Sequence, residues 1–576
     1  MPDPEPVPIY DQAALVAAIT TGTLASFLKD AFHALDEADW TTFIANAAAA
    51  HNAGDIDVLA AFAELPEGRL GYAPQIFLEN VIPLLATDLP PLTGLYEALT
   101  ARQLNDGIGH YVLTGIAGWC EADSTRPMAL ADAAKAGTAP ASLLRVALLA
   151  GLKNDRAVFL PVAIDMIAKG TPETQATAID VVGRFDAFSA TELSAVVTAL
   201  EAALATAASD AVAAPLRSLL IIAKRTPANS AVGVRAIAAV ATSADAGIRE
   251  TIAAELMAGT AKLEPRLADA AYYLLASTEA DEIGSINAID QLIAHDLKSP
   301  RIDAARSLLD ELLARRVATM KQFDSTTRAL LTGDPLVRAE IVVRWLRSEK
   351  LGLFLAVHDL CSGFGEDATR FELDFATATQ LEAERMARRC CALLMVFPET
   401  IASILASLLR TGPAAAFPVV ERLLFDPLLI NYWHGARAYL ETAATGAPAP
   451  MADVLARVLK RHDDYKAGIE GVGGLRELRP SQHHRFLVAT KKRDEERAIG
   501  KAAQKESIFA EIFPTSLLLY GDSVIFDYHA EPGKSLRQES PMQTHEFSHE
   551  LPRVDVIDPF WSWYQRQQLL RGEPDE

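Results

Sequence analysis

Apolar residues return along this chain at intervals of three and four, and the short amphipathic runs they form come in pairs from about Gly137 to Leu351. In the run that follows Pro300, Leu308, Leu309, Leu312 and Leu313 share one stripe while Arg306, Asp310 and Glu311 share the other side. That spacing predicts helices with one broad apolar face. Five such runs open alike, at Pro172, Asp210, Asp245, Pro300 and Pro335, roughly 35 to 40 residues apart with one longer gap. Each opening has the chemistry of a helix start, because proline fits the first turn and Thr171, Ser299 and Asp334 stand ready to cap free amides. A helix with such a face is not stable alone. Its stripe is expected to be covered by the neighbouring helix and by the next pair, which builds a continuous core.

The period and the amphipathic pattern resemble the HEAT and armadillo classes of helical repeat over about three quarters of the chain. No consensus residue repeats, so the resemblance is to an architecture. It implies an α-solenoid that works by binding through an extended surface.

The expected organisation follows from shifts in this pattern. Residues 1–11 read as a loose tail, and 12–136 as an N-terminal helical cap with helices over 24–35, 41–50, 76–86 and 95–103, anchored by Trp40 and Trp119. The helical repeats run over 137–460, with later helices at 379–394, 400–410, 415–424 and 451–460. In 461–513, Gly468, Gly471, Gly473 and Gly474 make a joint before a basic helical segment. The period then changes. Within 514–576, the runs 516–520 and 523–529 around Gly521 and Asp522 predict a β-hairpin, with a third strand somewhere in 544–557. Asp558 and Pro559 start a closing helix bearing Phe560, Trp561, Trp563 and Tyr564, expected to cover that small sheet or to meet another subunit. The fold class expected is mainly α: an α-solenoid with a small C-terminal α+β module containing a short antiparallel sheet.

Length and charge narrow the function. A chain of 576 residues is too long for one hydrophobic core. A net charge of -22 and a pI near 5.0 argue against a general nucleic-acid binder. Against that background, 476–505 carries nine basic and four acidic residues, +5, which leaves -27 for the rest. Arg485, Lys491, Lys492, Arg493, Arg497 and Lys501 are therefore candidates for contact with an anionic surface, nucleic acid included. The plainer account is a solvated helix with internal ion pairs. The opening from Met1 to Pro8 lacks the basic start and apolar run of a signal peptide. The most apolar stretch, 390–409, is broken by Pro398 and Glu399 and divides better into two core helices than into one membrane span. Cys120, Cys361, Cys390 and Cys391 are too few for a disulfide framework, which suits a reducing cytoplasm. The wealth of alanine and the preference for arginine over lysine point to a bacterial source.

The sharpest chemical motif is His545, Glu546, Phe547, Ser548, His549, a full match to H-E-x-x-H. On a helix the two histidines would hold zinc and Glu546 would act as general base, and over these five residues the chain resembles the zincin metallopeptidases. Pro552 would end such a helix at once. The stretch also alternates, with His545, Phe547 and His549 on one side and Glu546 and Ser548 on the other, which favours a strand. Gly363, Gly365 and Ala368 touch the dinucleotide pattern without its strand and helix context. Cys390 and Cys391 read as buried structural thiols, and His483 and His484 as exposed. The function expected is a non-enzymatic scaffold or adaptor of a bacterial multi-protein system, with a protein partner on the helical-repeat surface and no cofactor. The alternatives are a zinc metallohydrolase at 545–549 and an adaptor touching nucleic acid through 476–505.

Overall fold

In a computed structural model of the protein, residues 10–65, 71–101, 108–209, 211–258, 264–362, 369–472, 481–505, 523–531, 534–541 and 552–571 are described. Two compact units divide the chain, Met1–Gly333 and Asp334–Glu576. Helices pack on helices in both, mostly against neighbours in sequence, an arrangement compatible with a helical repeat.

In the first unit the helices from residue 142 onward form two rows. One row is Ser142–Asn154, Pro172–Arg184, Ala213–Arg225, Ala246–Met257, Ile283–Asp296 and Asp324–Thr332, each packed on the next. The other is Arg156–Lys169, Ala190–Thr206, Ser230–Val240, Pro265–Leu275 and Ile302–Ala314, again each on the next. Buried leucine, isoleucine and valine from both rows fill the space between them, as in Leu216, Leu219, Ile252, Ile289 and Leu309. Thr171 and Asp334 cap as expected, accepting from the amides of Thr174 at 3.4 Å and Leu336 at 2.8 Å. Two openings shift. The Pro300 run begins its helix only at Ile302, and the Ser299 hydroxyl accepts from the Arg301 amide at 3.1 Å. Asp210 lies outside the described residues, and its helix begins at Ala213. The longer gap in the expected period also has an explanation: a first-row helix, Ile283–Asp296, stands inside it, and the Pro300 run belongs to the second row.

Successive repeats are tied by polar side chains that act at repeat distance. The Ser218 hydroxyl donates to the Ile179 carbonyl at 2.9 Å, and that of Ser285 to Ala246 at 2.8 Å, both across 39 residues. Gly183 makes room for this approach, since a Cβ there would lie 2.3 Å from Ser218 Oγ. Arg225 donates to the Phe185 carbonyl at 2.6 Å, Arg315 to that of Ala276, and Lys224 to that of Ala258 at 2.9 Å. Cations thus meet free carbonyls at or just past helix C-termini, where both hydrogen bonding and the helix dipole favour them.

The second unit is less regular. Its core gathers around Pro398–Thr411, whose Ile401, Ile404, Leu405 and Leu408 are buried together with Cys390 and Cys391 of helix Gln380–Leu393. An extended strap from Thr369 to Phe375 lies along Pro398–Thr411. The amides of Phe371, Leu373 and Phe375 donate to the hydroxyls of Ser403, Ser407 and Thr411 at 3.0, 3.2 and 2.9 Å. The match is geometric: four helical residues rise about 6 Å, close to the advance of two extended residues. Phe371, Leu373 and Phe375 are buried, and Arg370, Glu372 and Asp374 are not.

The expected C-terminal α+β module is overturned. The packed body is helical, and residues 553–557, expected within a third strand, form helix Arg553–Ile557. Among the described residues the extended runs Ser523–Glu531 and Lys534–Pro541 pair antiparallel with each other alone, with Ser523 opposite Pro541, while the expected strand at 516–520 and turn at Gly521 and Asp522 lie outside the described residues. A lone pair of strands makes no sheet layer for a helix to cover. The closing helix, Pro559–Arg571, packs instead on Gln380–Leu393. Docking explains the helical turn at 553–557: the Val554 amide donates to buried Asn431 at 2.8 Å, and Arg553 lies 3.7 Å from the centre of the Trp433 ring.

Candidate functional site

Along helix Ala190–Thr206 the positions Thr191, Ser194, Ala195, Thr198, Ala202 and Thr206 form one exposed stripe of short side chains. Ile164 and Ile167 of helix Arg156–Lys169 stand beside them, and the space left open is a groove of about 740 Å³. The stripe was legible at helical spacing in the sequence, yet small residues look unremarkable there until the neighbouring helix supplies a second wall.

Two buried charge clusters of this unit are already occupied. Asp296 is 0% exposed and accepts from Arg301 at 3.0 and 2.5 Å, from the Tyr272 hydroxyl, and from Ser299 at 3.3 Å, with His295 Nδ1 at 3.0 Å. Burial opposes its ionisation, but the hydrogen bonds from Arg301, Tyr272 and His295 outweigh that and hold its carboxyl below the ordinary value. No lone pair is left to accept a substrate proton, so the cluster locks the turn between Ile283–Asp296 and Ile302–Ala314. Arg249 is likewise consumed by Glu282, in a fork with contacts of 2.7 and 2.5 Å.

The residues singled out in the sequence fall partly inside and partly outside the described structure. His545, Glu546 and His549 lie outside the described residues, as do Gly363, Gly365 and Ala368. Among the described residues no cluster of histidine, cysteine and carboxylates is arranged to hold a metal. Burial pushes the thiols of Cys390 and Cys391 well above their ordinary value, which disfavours a thiolate nucleophile. Arg485, Lys491, Lys492, Arg493, Arg497 and Lys501 are exposed on helix Gln482–Lys505. Lys491 reaches Glu495 at 3.8 Å, Lys492 reaches Glu496 at 4.0 Å, and Arg497 reaches Asp494 at 4.0 Å, the geometry of a solvated helix with internal pairs. Phe560, Trp561, Trp563 and Tyr564 are exposed, Trp561 by 51% and Trp563 by 57%. The opposite face of their helix carries Ser562, which is buried and donates to Asp555. The helix therefore docks by a polar side and turns its aromatic side to solvent.

This geometry defines an almost entirely helical protein of successively packed helices, and no helix among the described residues is long and apolar enough to cross a membrane. No protein family matches the chain, and no curated protein matches it. Among solved structures it is similar to an engineered protein from the Northeast Structural Genomics Consortium, at 15% identity over 78% of this chain and 91% of that one, with a TM-score of 0.19. A superposition at that level carries no argument about fold or function.

Proposed function

We propose that this chain is a non-enzymatic interaction scaffold or adaptor of a bacterial multi-protein system, working in the cytoplasm as a HEAT-like array that holds a protein partner on the helix rows of its first unit. The observation that carries this reading is the groove beside Ala190–Thr206, an open surface of short side chains held by rigid helices. Small residues let a partner's helix or extended segment approach closely, and packed rows keep the surface preorganised. The occupied lone pairs of Asp296 support binding over chemistry at that cluster.

The test fills the groove. Ala195→Trp/Ala199→Trp and the wild type are used as full-length baits in extract of the source organism, with quantitative mass spectrometry as readout. A protein retained by the wild type and lost from the variant, at unchanged circular dichroism, is the expected result. Identical captured sets would overturn the reading.

A further inference from the structure

A hollow of about 450 Å³ opens in the first unit between helix Leu24–Ala34, which lends it Lys29, Phe32 and His33, and the start of helix Tyr72–Val81, which lends it Gly71, Tyr72 and Pro74. Its walls carry two kinds of chemistry. Tyr72 stands between Phe32 and Tyr111 and meets each edge to face, at 5.7 and 6.4 Å between ring centres, yet it is 59% exposed. Open aromatic rings of this kind receive proline, whose ring C–H groups suit the negative aromatic face. Among the described residues the Tyr72 hydroxyl has no hydrogen-bond partner, so it can donate to a carbonyl of whatever lies there.

The second kind favours an acid. Gly71 is the N-cap of Tyr72–Val81 and has no side chain to offer, and the amides of Tyr72 and Ala73 have no partner among the described residues. That helix start is open, since even a Cβ on Gly71 would meet no described atom within 4 Å. Lys29 is exposed and forms no ion pair among the described residues, and no described carboxylate walls the hollow. An uncapped helix start and an unpaired ammonium together attract a carboxylate.

One segment of this chain matches both. Residues 1–9 lie outside the described residues, and in their sequence Pro2, Pro4, Pro6 and Pro8 alternate with Asp3, Glu5 and Val7. Each proline fixes its own φ and biases the residue before it towards extended backbone, so this sequence favours a polyproline helix. Tyr10, the next residue, already sits on helix Leu24–Ala34, its ring centre 5.6 Å from that of Phe27. From Phe27 to Phe32 is about 7.5 Å along that helix, and residues 2–8 in polyproline form span roughly 20 Å, enough to pass round it to the hollow. We propose that the segment 2–8 docks in this hollow, with its prolines against Phe32 and Tyr72 and with Asp3 or Glu5 at Lys29 and the amides of Tyr72 and Ala73. Weak contacts suffice, because a short tether holds the segment at an effective concentration in the millimolar range. The surface differs from the groove beside Ala190–Thr206, and the proposal stands or falls without it.

The experiment uses the full-length protein and fluorescence anisotropy of a labelled peptide with the sequence of residues 1–10. The variant Pro2→Ala/Pro4→Ala/Pro6→Ala/Pro8→Ala is expected to bind it saturably, and the wild type about tenfold more weakly, because its own segment competes. In that variant, Tyr72→Ala is expected to weaken binding about tenfold and Lys29→Glu about fivefold, at unchanged circular dichroism. A peptide carrying Asp3→Lys/Glu5→Lys is expected to bind about tenfold more weakly. Equal binding to the wild type and the proline variant, no binding to that variant at about 1 mM peptide, or indifference to Tyr72→Ala would overturn the proposal. A photo-crosslinking benzoylphenylalanine in place of His33 is expected to capture residues 1–9 of the same chain, also with Ala195→Trp/Ala199→Trp present, which separates this proposal from the reading of the groove. Capture between two chains would overturn it, since the occupant would then belong to a second copy.

Discussion

The two units use the same helices to different ends. In the first, polar side chains that enter the rows are consumed there: Ser218 and Ser285 at carbonyls of the preceding repeat, Arg225 at a helix end, Asp296 in its cluster. In the second, an extended strap and an outward aromatic helix leave hydrogen-bonding edges and apolar faces open. A regular repeat closes its backbone groups with one device used again and again. The same device reaches into the second unit, where Arg389 donates to the Ser348 carbonyl at 2.6 Å, but open edges and apolar faces collect there as well.

Breaking the first unit's closure has the largest expected effect. Asp296→Ala takes the carboxylate away from the largely buried Arg301 guanidinium and is expected to cost about 3–5 kcal/mol in urea unfolding followed by circular dichroism. A loss under about 1 kcal/mol would show that the cluster is no lock. Breaking the strap costs less. Ser407→Ala removes the partner of the Leu373 amide, with an expected loss of about 1–3 kcal/mol and faster hydrogen exchange at Leu373 than at first-unit amides. Unchanged exchange there would contradict the strap geometry.

Acidity separates the units further. Burial first, and then the Arg437 charge, lower the pKa of His462, which accepts from Arg437 at 2.8 Å and also feels Asp463, Lys466 and Arg553. A His whose folded value lies below its unfolded one keeps the folded state's stability above the unfolded pKa of about 6.5 and loses it as pH falls through the folded value. The second unit is therefore expected to melt a few degrees lower at pH 5 than at pH 7, and His462→Gln to flatten that dependence. Asp296 is also lowered, but its contribution is present above about 3.9 and persists across that range, so the first unit gains no slope from it. The smallest effect belongs to the aromatic helix. Trp561→Ser/Trp563→Ser is expected to change stability by less than about 0.5 kcal/mol while reducing binding of a hydrophobic dye. A larger destabilisation would mean that this face is packed and not presented.

Part of the candidate surface could be read before the structure. The stripe on Ala190–Thr206 is visible as small residues at helical spacing, and the strap is visible as the alternation of Arg370, Phe371, Glu372, Leu373, Asp374 and Phe375. The strap is easily passed over because a strand is sought with a partner strand, and its partner here is a ladder of hydroxyls on a helix. The residues around 554–556 mislead in the opposite direction. Val554 and Val556 alternate like a strand, but contacts with Asn431 and Trp433 hold a helical turn.

Apolar spacing by itself determined the helices, their approximate period and the caps at Thr171 and Asp334, because those depend on residues within one or two turns of each other. Only the tertiary structure decided which helices form each row, which carbonyl Arg225 meets, and which edge of the strap stays open. Those contacts join residues some 30 to 40 positions apart or more, and in the unfolded chain no local preference brings them together.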